Sequence, residues 1–164
     1  MTNTPEDILK TYWGFSKFRP QQQDIIQNVL QGKDTIALLS TGGGKSICYQ
    51  IPSLVQEGIT IVITPLIALM KDQVAQLTQK GIKALCIPSG ISYKELDIVL
   101  DNCIYGNYKF LYLSPERLQQ ELVGSRIQQM PVNLIAIDEA HCICLLYTSP
   151  SPRDQRGSRM PSSA

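Results

Sequence analysis

The sequence has one histidine, one tryptophan, three phenylalanines and almost no net charge. Fifteen Lys and Arg stand against fourteen Asp and Glu, a formal charge of +1. Overall charge therefore neither supports nor excludes a nucleic-acid partner, and any basic surface has to be local. The five cysteines, at 48, 86, 103, 142 and 144, fit neither a zinc ribbon nor a dense disulfide framework. Cys142 and Cys144 have one residue too few between them for a CxxC pair. As a set they read as small buried hydrophobes in a reducing compartment. No apolar run approaches the roughly 20 residues of a membrane span. Met1 is followed by Thr, Asn, Pro and acids, which is not a signal-peptide pattern. A cytosolic protein is expected, or a nuclear one in a eukaryote. No internal repeat is present to suggest a solenoid.

What remains is an ordinary globular composition, 43% apolar and 18% charged over 164 residues, enough for one domain with a core. Thr4, Pro5 and Glu6 supply an N-cap, a first-turn proline and a dipole-favoured acid, opening a short helix that stops by Gly14. Pro20 opens a second helix. Ile25, Ile26, Val29 and Leu30 form its apolar stripe, and Gly32 ends it. Residues 35–39 (TIALL) read as a buried strand. Strands are then expected at 59–63, 84–87, 110–113 and 132–137. Helices are expected at 66–79, with Leu66, Met70, Val74 and Leu77 on one face, and at 92–103 and 115–122. Alternation of this kind means an α/β fold, a parallel sheet with helices on both faces. Ligands bind such sheets at the carboxyl ends of the strands.

Two segments carry chemistry. Ser40, Thr41, Gly42, Gly43, Gly44, Lys45 and Ser46 lie between the expected strand and a helical stretch at 47–50, the setting of a phosphate-binding P-loop. The glycines free the backbone to curl its N–H groups inward as an anion nest, and the helix start adds its positive dipole end. Lys45 can reach the β- and γ-phosphates of ATP, and Ser46 offers a hydroxyl to Mg²⁺. The match to GxxxxGK[ST] is imperfect, because Leu39 takes the first glycine position. Some 90 residues on, an apolar strand ends in Asp138 and Glu139. Asp138 is the candidate for the Mg²⁺ shell, and Glu139 for the group that orients or deprotonates the attacking water. His141, the sole histidine, follows as a candidate for coupling between sites.

Together these segments resemble a superfamily 2 helicase of the RecQ type, over nearly all of residues 8–143. Residues 13–22 (WGFSKFRPQQ) are similar to that family's adenine-reading motif. By that resemblance Gln22 hydrogen-bonds the adenine edge, Arg19 assists, and Phe15 stacks on the ring. Residues 40–52 match its first nucleotide motif, and Asp138-Glu-Ala-His-Cys142 its second. Residues 64–73 (TPLIALMKDQ) and 113–118 (LSPERL) match motifs that touch the DNA backbone, which makes Lys71, Ser114 and Arg117 candidate phosphate contacts. The resemblance implies a RecA-like P-loop NTPase domain of an ATP-dependent, Mg²⁺-using 3′ to 5′ DNA helicase. Such an enzyme acts in recombination and repair on single-stranded or forked DNA, without sequence preference. It also implies that a second RecA-like domain lies outside this chain, so the chain alone is expected neither to hydrolyse ATP efficiently nor to unwind DNA. Two rivals stay open: an RNA helicase with a DEAH-like box, and a non-catalytic module gated by ATP binding. Glu139 counts against the second, because a pure switch has no need of a positioned water.

Composition shifts abruptly after Ile143. Residues 144–164 are rich in Ser and Pro, carry Arg153, Arg156 and Arg159, and have no apolar period beyond Leu145 and Leu146. The string CLLYTSPSPRD matches what a transposase sequencing adapter encodes in one frame, and SRMPSSA what its adjoining primer encodes. Residues 144–164 are thus expected to be adapter-derived or a disordered tail, and not a domain. Residues 1–143 are expected to form the RecA-like domain, incomplete at its C-terminal end. Without the tail, 12 basic and 13 acidic residues leave a charge of −1.

Overall fold

A computed structural model describes residues 3–39 and 44–138. Its centre is a parallel sheet of four strands, β1 (Ile59–Ile63), β2 (Ala84–Cys86), β3 (Phe110–Leu113) and β4 (Val132–Ile137), in the order β2-β3-β1-β4. Ile61 stands level with Leu111 on one side and Ile135 on the other. Every residue of β1 and β3 is buried, as expected of continuous apolar strands covered on both faces.

The two-residue period of the strands sorts the core into layers. Ile59, Ile61, Ile63, Leu111 and Leu113 face α5 (Tyr93–Tyr105) and α7 (Glu121–Ile127) through Leu96, Leu100, Cys103 and Val123. Val62, Phe110 and Tyr112 face the other way, onto Met70 and Leu77 of α4 (Ile67–Gln79). A third cluster, Ile8, Leu9, Ile26 and Ile51, joins α1 (Pro5–Ile8), α2 (Pro20–Leu30) and α3 (Lys45–Val55). Each fully buried Ile or Leu contributes roughly 1.5–3 kcal/mol.

Local signals account for most boundaries. Thr4 caps α1 through a reciprocal pair with Asp7. A π-helical turn, Leu9–Trp13, extends α1 to Gly14, whose φ of +77° ends it. Ser92 and Glu95 form the same reciprocal cap on α5.

Four expectations need correction. Residues 35–39 form no strand. Ile36 and Leu38 are 85% and 89% exposed, while Thr35 and Leu39 are half-buried. A strand requires a partner edge as well as an apolar run, and 33–39 lies across an open cleft from β4. Leu66 does not share the buried face of α4; it precedes the helix in extended backbone and is half exposed. Residues 115–122 are not one helix. Gln119 and Gln120 bond back to Glu116 and Arg117, which closes α6 (Pro115–Leu118) before α7 begins. The strand at 84–87 ends at Cys86, one residue early.

Candidate nucleotide site

The parallel strands present their carboxyl ends along one edge of the sheet. At that edge Asp138 follows β4, and its N–H donates to the Ile63 carbonyl at 2.9 Å, extending the ladder by one residue. Lys45 opens α3. Lys45 and Asp138 line one cleft of about 320 Å³, bounded also by Tyr49, by Ile25 and Val29 of α2, and by the 33–39 segment. The apolar stripe of α2 is therefore split: Ile26 and Leu30 pack inward, and Ile25 and Val29 wall the cleft.

The turn into α3 depends on Gly44. Its φ is +72°, and a Cβ there would lie 2.3 Å from Gln22 Nε2. Gln22 is 4% exposed and spans two elements. Its Oε1 accepts from the Arg19 backbone N–H at 3.0 Å, and its Nε2 donates to the Gly44 carbonyl at 3.3 Å. Gln22 thus fastens the last glycine of the loop to the start of α2. Phe15 is 57% exposed and Arg19 is also exposed, so both are reachable by a ligand. Neither these two nor Gln22 lines the cleft that holds Lys45 and Asp138. Ser46 sits half-buried in the first turn of α3. Thr41, Gly42, Gly43, Glu139 and His141 lie outside the described residues.

Asp138 also acts electrostatically behind the cleft. The Tyr49 phenol is held well above its ordinary pKa, first by burial, then by Tyr112, with Asp138 adding to the shift. Tyr112 is raised as well, chiefly by burial, with Asp138 again contributing. Burial pushes the Cys48 thiol up to about 11, so this cysteine beside the loop is no nucleophile near neutral pH. Among the described residues no group of three or more His, Cys, Asp or Glu could hold a metal ion. The hydroxyl of Ser46 and the carboxylate of Asp138 are hard oxygen donors. Such a sparse set suits Mg²⁺, which takes few protein ligands when phosphates supply others.

The candidate DNA contacts follow the same edge on the far side of β1. Lys71 is exposed on α4. Ser114 follows β3, and its Oγ accepts from the Arg117 N–H at 3.4 Å as the cap of α6. The Arg117 guanidinium donates to the Pro88 carbonyl at 3.0 Å and to Gln120 Oε1 at 3.3 Å. Arg117 therefore has an internal bracing role that its place in the motif did not reveal.

Two features escaped the sequence reading. One is the Gln22–Gly44 bond, which no helical or strand period connects. The other is a hydrogen-bonded cluster of the buried Gln50 and Tyr112 with the half-buried Tyr49 and Gln73. Its only trace is a pair of adjacent polar residues, Tyr49 and Gln50, amid the apolar face of α3.

The sheet and its flanking helices make this a RecA-like α/β domain. A family model described as DEAD/DEAH box helicase matches residues 19–147, and the chain belongs to that family. It is 47% identical over 139 residues to a probable ATP-dependent DNA helicase RecS of Bacillus subtilis, covering 84% of this chain and 28% of that protein. It is 43% identical over 143 residues to the ATP-dependent DNA helicase RecQ of Pasteurella multocida, covering 87% of this chain and 23% of that protein. The chain thus spans about a quarter of the length of these curated relatives. A crystal structure of a hypothetical ATP-dependent RNA helicase from Sulfolobus tokodaii superposes with a TM-score of 0.64 at 24% identity. That match covers 87% of this chain and 43% of the other, and it speaks to the fold. No helix among the described residues is long and apolar enough to cross a membrane.

Proposed function

We propose that residues 1–143 are the ATP-binding portion of a 3′ to 5′ DNA helicase of the RecQ type, and that residues 144–164 are no part of its fold. The observation that carries this reading is the cleft shared by Lys45 and Asp138, at the start of one helix and the end of one strand. The similarity to proteins named RecS and RecQ supports DNA over RNA as the polymer.

In this account the loop and the start of α3 cradle the phosphates of ATP. Lys45 neutralises charge on the β- and γ-oxygens. Ser46 and Asp138 hold Mg²⁺, which supplies further charge neutralisation when bound. Glu139 orients the attacking water and receives its proton. Phosphoryl transfer asks for little beyond this positioning and electrostatic stabilisation. Phe15 and Arg19 are open to the base. For Gln22 to read the adenine edge it would exchange one of its present bonds, which would couple base recognition to the loop at Gly44. Lys71 and Ser114 contact DNA phosphates without reading sequence. Recombination and repair are the processes such an activity serves.

Steady-state ATP hydrolysis by the full-length protein, with single-stranded DNA or RNA added, tests the reading. DNA should stimulate turnover and RNA should not. Glu139→Gln should retain ATP binding and lose turnover. Stimulation by RNA alone would favour the RNA-helicase alternative, and unchanged turnover in the Gln variant would favour the ATP-gated binding module. The 164-residue chain alone should show no DNA-stimulated turnover. The gene's sequence downstream of the Ile143 codon tests the assignment of the tail: contiguous genomic codons for residues 144–164 would overturn it.

A further inference from the structure

We propose that the buried side chains of Tyr112 and Gln50, with the half-buried Tyr49 and Gln73, form a positioning network that couples the nucleotide cleft to α4, the helix that carries Lys71. The inference rests on the helicase reading above and adds to it a physical route between its two sites.

The geometry is continuous. Tyr49 lines the cleft with Lys45 and Asp138. Its hydroxyl lies 3.2 Å from that of Tyr112. Gln50 Nε2 donates to the Tyr112 hydroxyl at 3.2 Å and to Gln73 Oε1 at 2.8 Å. The Tyr112 hydroxyl donates to the same Gln73 oxygen at 3.5 Å. The two phenols share one hydrogen bond in which either hydroxyl can donate, and Tyr112 accepts from Gln50 as well. The bonds link Tyr49 at the cleft through Tyr112 and Gln50 to Gln73, two residues from Lys71 on the same helix.

The setting argues against mere space-filling. Tyr112 and Gln50 are 1% and 3% exposed, and Tyr112 packs in one cluster with Val62, Met70, Leu77 and Phe110. Apolar side chains of similar size would satisfy this layer with no polar groups to desolvate. A fully satisfied network fixes relative positions that apolar contacts leave loose. Here it fixes α3, which begins at the phosphate loop, against β3 and α4. The negative charge of Asp138 also acts on both phenols, after burial, in holding them protonated.

Tyr112→Phe and Gln73→Met each remove polar atoms while keeping volume. In the full-length protein, ATP hydrolysis is measured with and without a single-stranded oligothymidine. Basal kcat, KM for ATP and half-saturating DNA should stay within about twofold of wild type. The ratio of stimulated to basal rate should fall at least about fivefold, the lower end of typical site-to-site coupling. Gln73→Glu keeps the accepting oxygen and should retain stimulation. Undiminished stimulation in Tyr112→Phe and Gln73→Met would overturn the proposal. So would a parallel fall of basal and stimulated rates, which marks a merely structural role. A wild-type protein whose ATP hydrolysis ignores DNA would overturn the helicase reading itself and this inference with it.

Discussion

Gly44→Ala is the substitution whose cost the structure specifies most fully. Two separable terms arise. The first is backbone strain, since a φ of +72° costs a residue with a Cβ about 1–2 kcal/mol. The second comes from the approach of that Cβ to 2.3 Å from Gln22 Nε2. Gln22 is a flexible side chain in principle, but here it is buried and its Oε1 is held by the Arg19 N–H. To yield it has to break its bond to the Gly44 carbonyl, at about 1–3 kcal/mol for a disrupted buried hydrogen bond. The reduced entropy of the unfolded alanine chain returns about 0.4–1 kcal/mol. The net loss should be about 2–4 kcal/mol. Urea denaturation of wild type, Gly44→Ala, Gln22→Ala and the double variant separates the terms. With Gln22 already truncated, Gly44→Ala should cost no more than about 1.6 kcal/mol, the strain less the same entropy return, leaving a coupling of roughly 1–3 kcal/mol between the two positions. Equal costs in both backgrounds would refute the second term. A Gly44→Ala protein as stable as wild type would refute both.

Asn133 of β4 reaches β1 and α3: its Oδ1 accepts from Thr60 at 2.7 Å, and its Nδ2 donates to the Ser53 carbonyl at 3.4 Å and the Glu57 carbonyl at 3.1 Å. Asn133→Ala should lower stability by about 1–3 kcal/mol in the same urea assay. The Cys48 and Cys103 thiols titrate at about 11 and about 12, above their ordinary value because burial disfavours the thiolate. With folded pKa values raised, their contribution is intact below about pH 8.5 and is lost as pH climbs through the folded values. Stability followed by circular dichroism should therefore decline on the alkaline side, and less steeply in Cys103→Ala measured relative to its own value at pH 8. At pH 8 only about one Cys48 in a thousand is thiolate, so iodoacetamide labelling with peptide mapping should find Cys48 protected until the protein unfolds. Arg126 pairs with Asp97 and Asp101 across α5 and α7, but both carboxylates are 41% or more exposed. Arg126→Met should leave the urea midpoint nearly unchanged, since solvent-exposed ion pairs contribute little.

The layered α/β fold was legible because its signals are local or periodic. Buried strands such as β1 and β3 are short continuous apolar runs, and the Thr4 and Ser92 caps announce their helices within four residues. The 35–39 segment misled for a physical reason. TIALL has the composition of a strand, yet composition cannot report whether a neighbouring edge is within bonding reach, and Ile36 and Leu38 end up in solvent. At the site, the pairing of Lys45 with Asp138 followed from the rule that parallel strands gather ligand groups at their carboxyl edge. The bonds that Gln22 and Arg117 make within the fold were not legible. A motif says which residue type is needed at a position, but the bonds Gln22 makes to Arg19 and Gly44, and Arg117 to Pro88, depend on how distant loops meet. Gln73 ends the 64–73 motif, but its bonding role was not legible, because its partners stand 23 and 39 positions away.

The central claim, that ATP phosphates and Mg²⁺ sit between Lys45 and Asp138, is tested most directly by calorimetric titration of a non-hydrolysable ATP analogue with Mg²⁺ into wild type and Lys45→Ala. Lys45 is exposed at the first position of α3, so its removal should leave the urea midpoint unchanged. Analogue affinity should fall at least tenfold, about 1.4 kcal/mol. Equal affinity of the two proteins would contradict the assignment of the site.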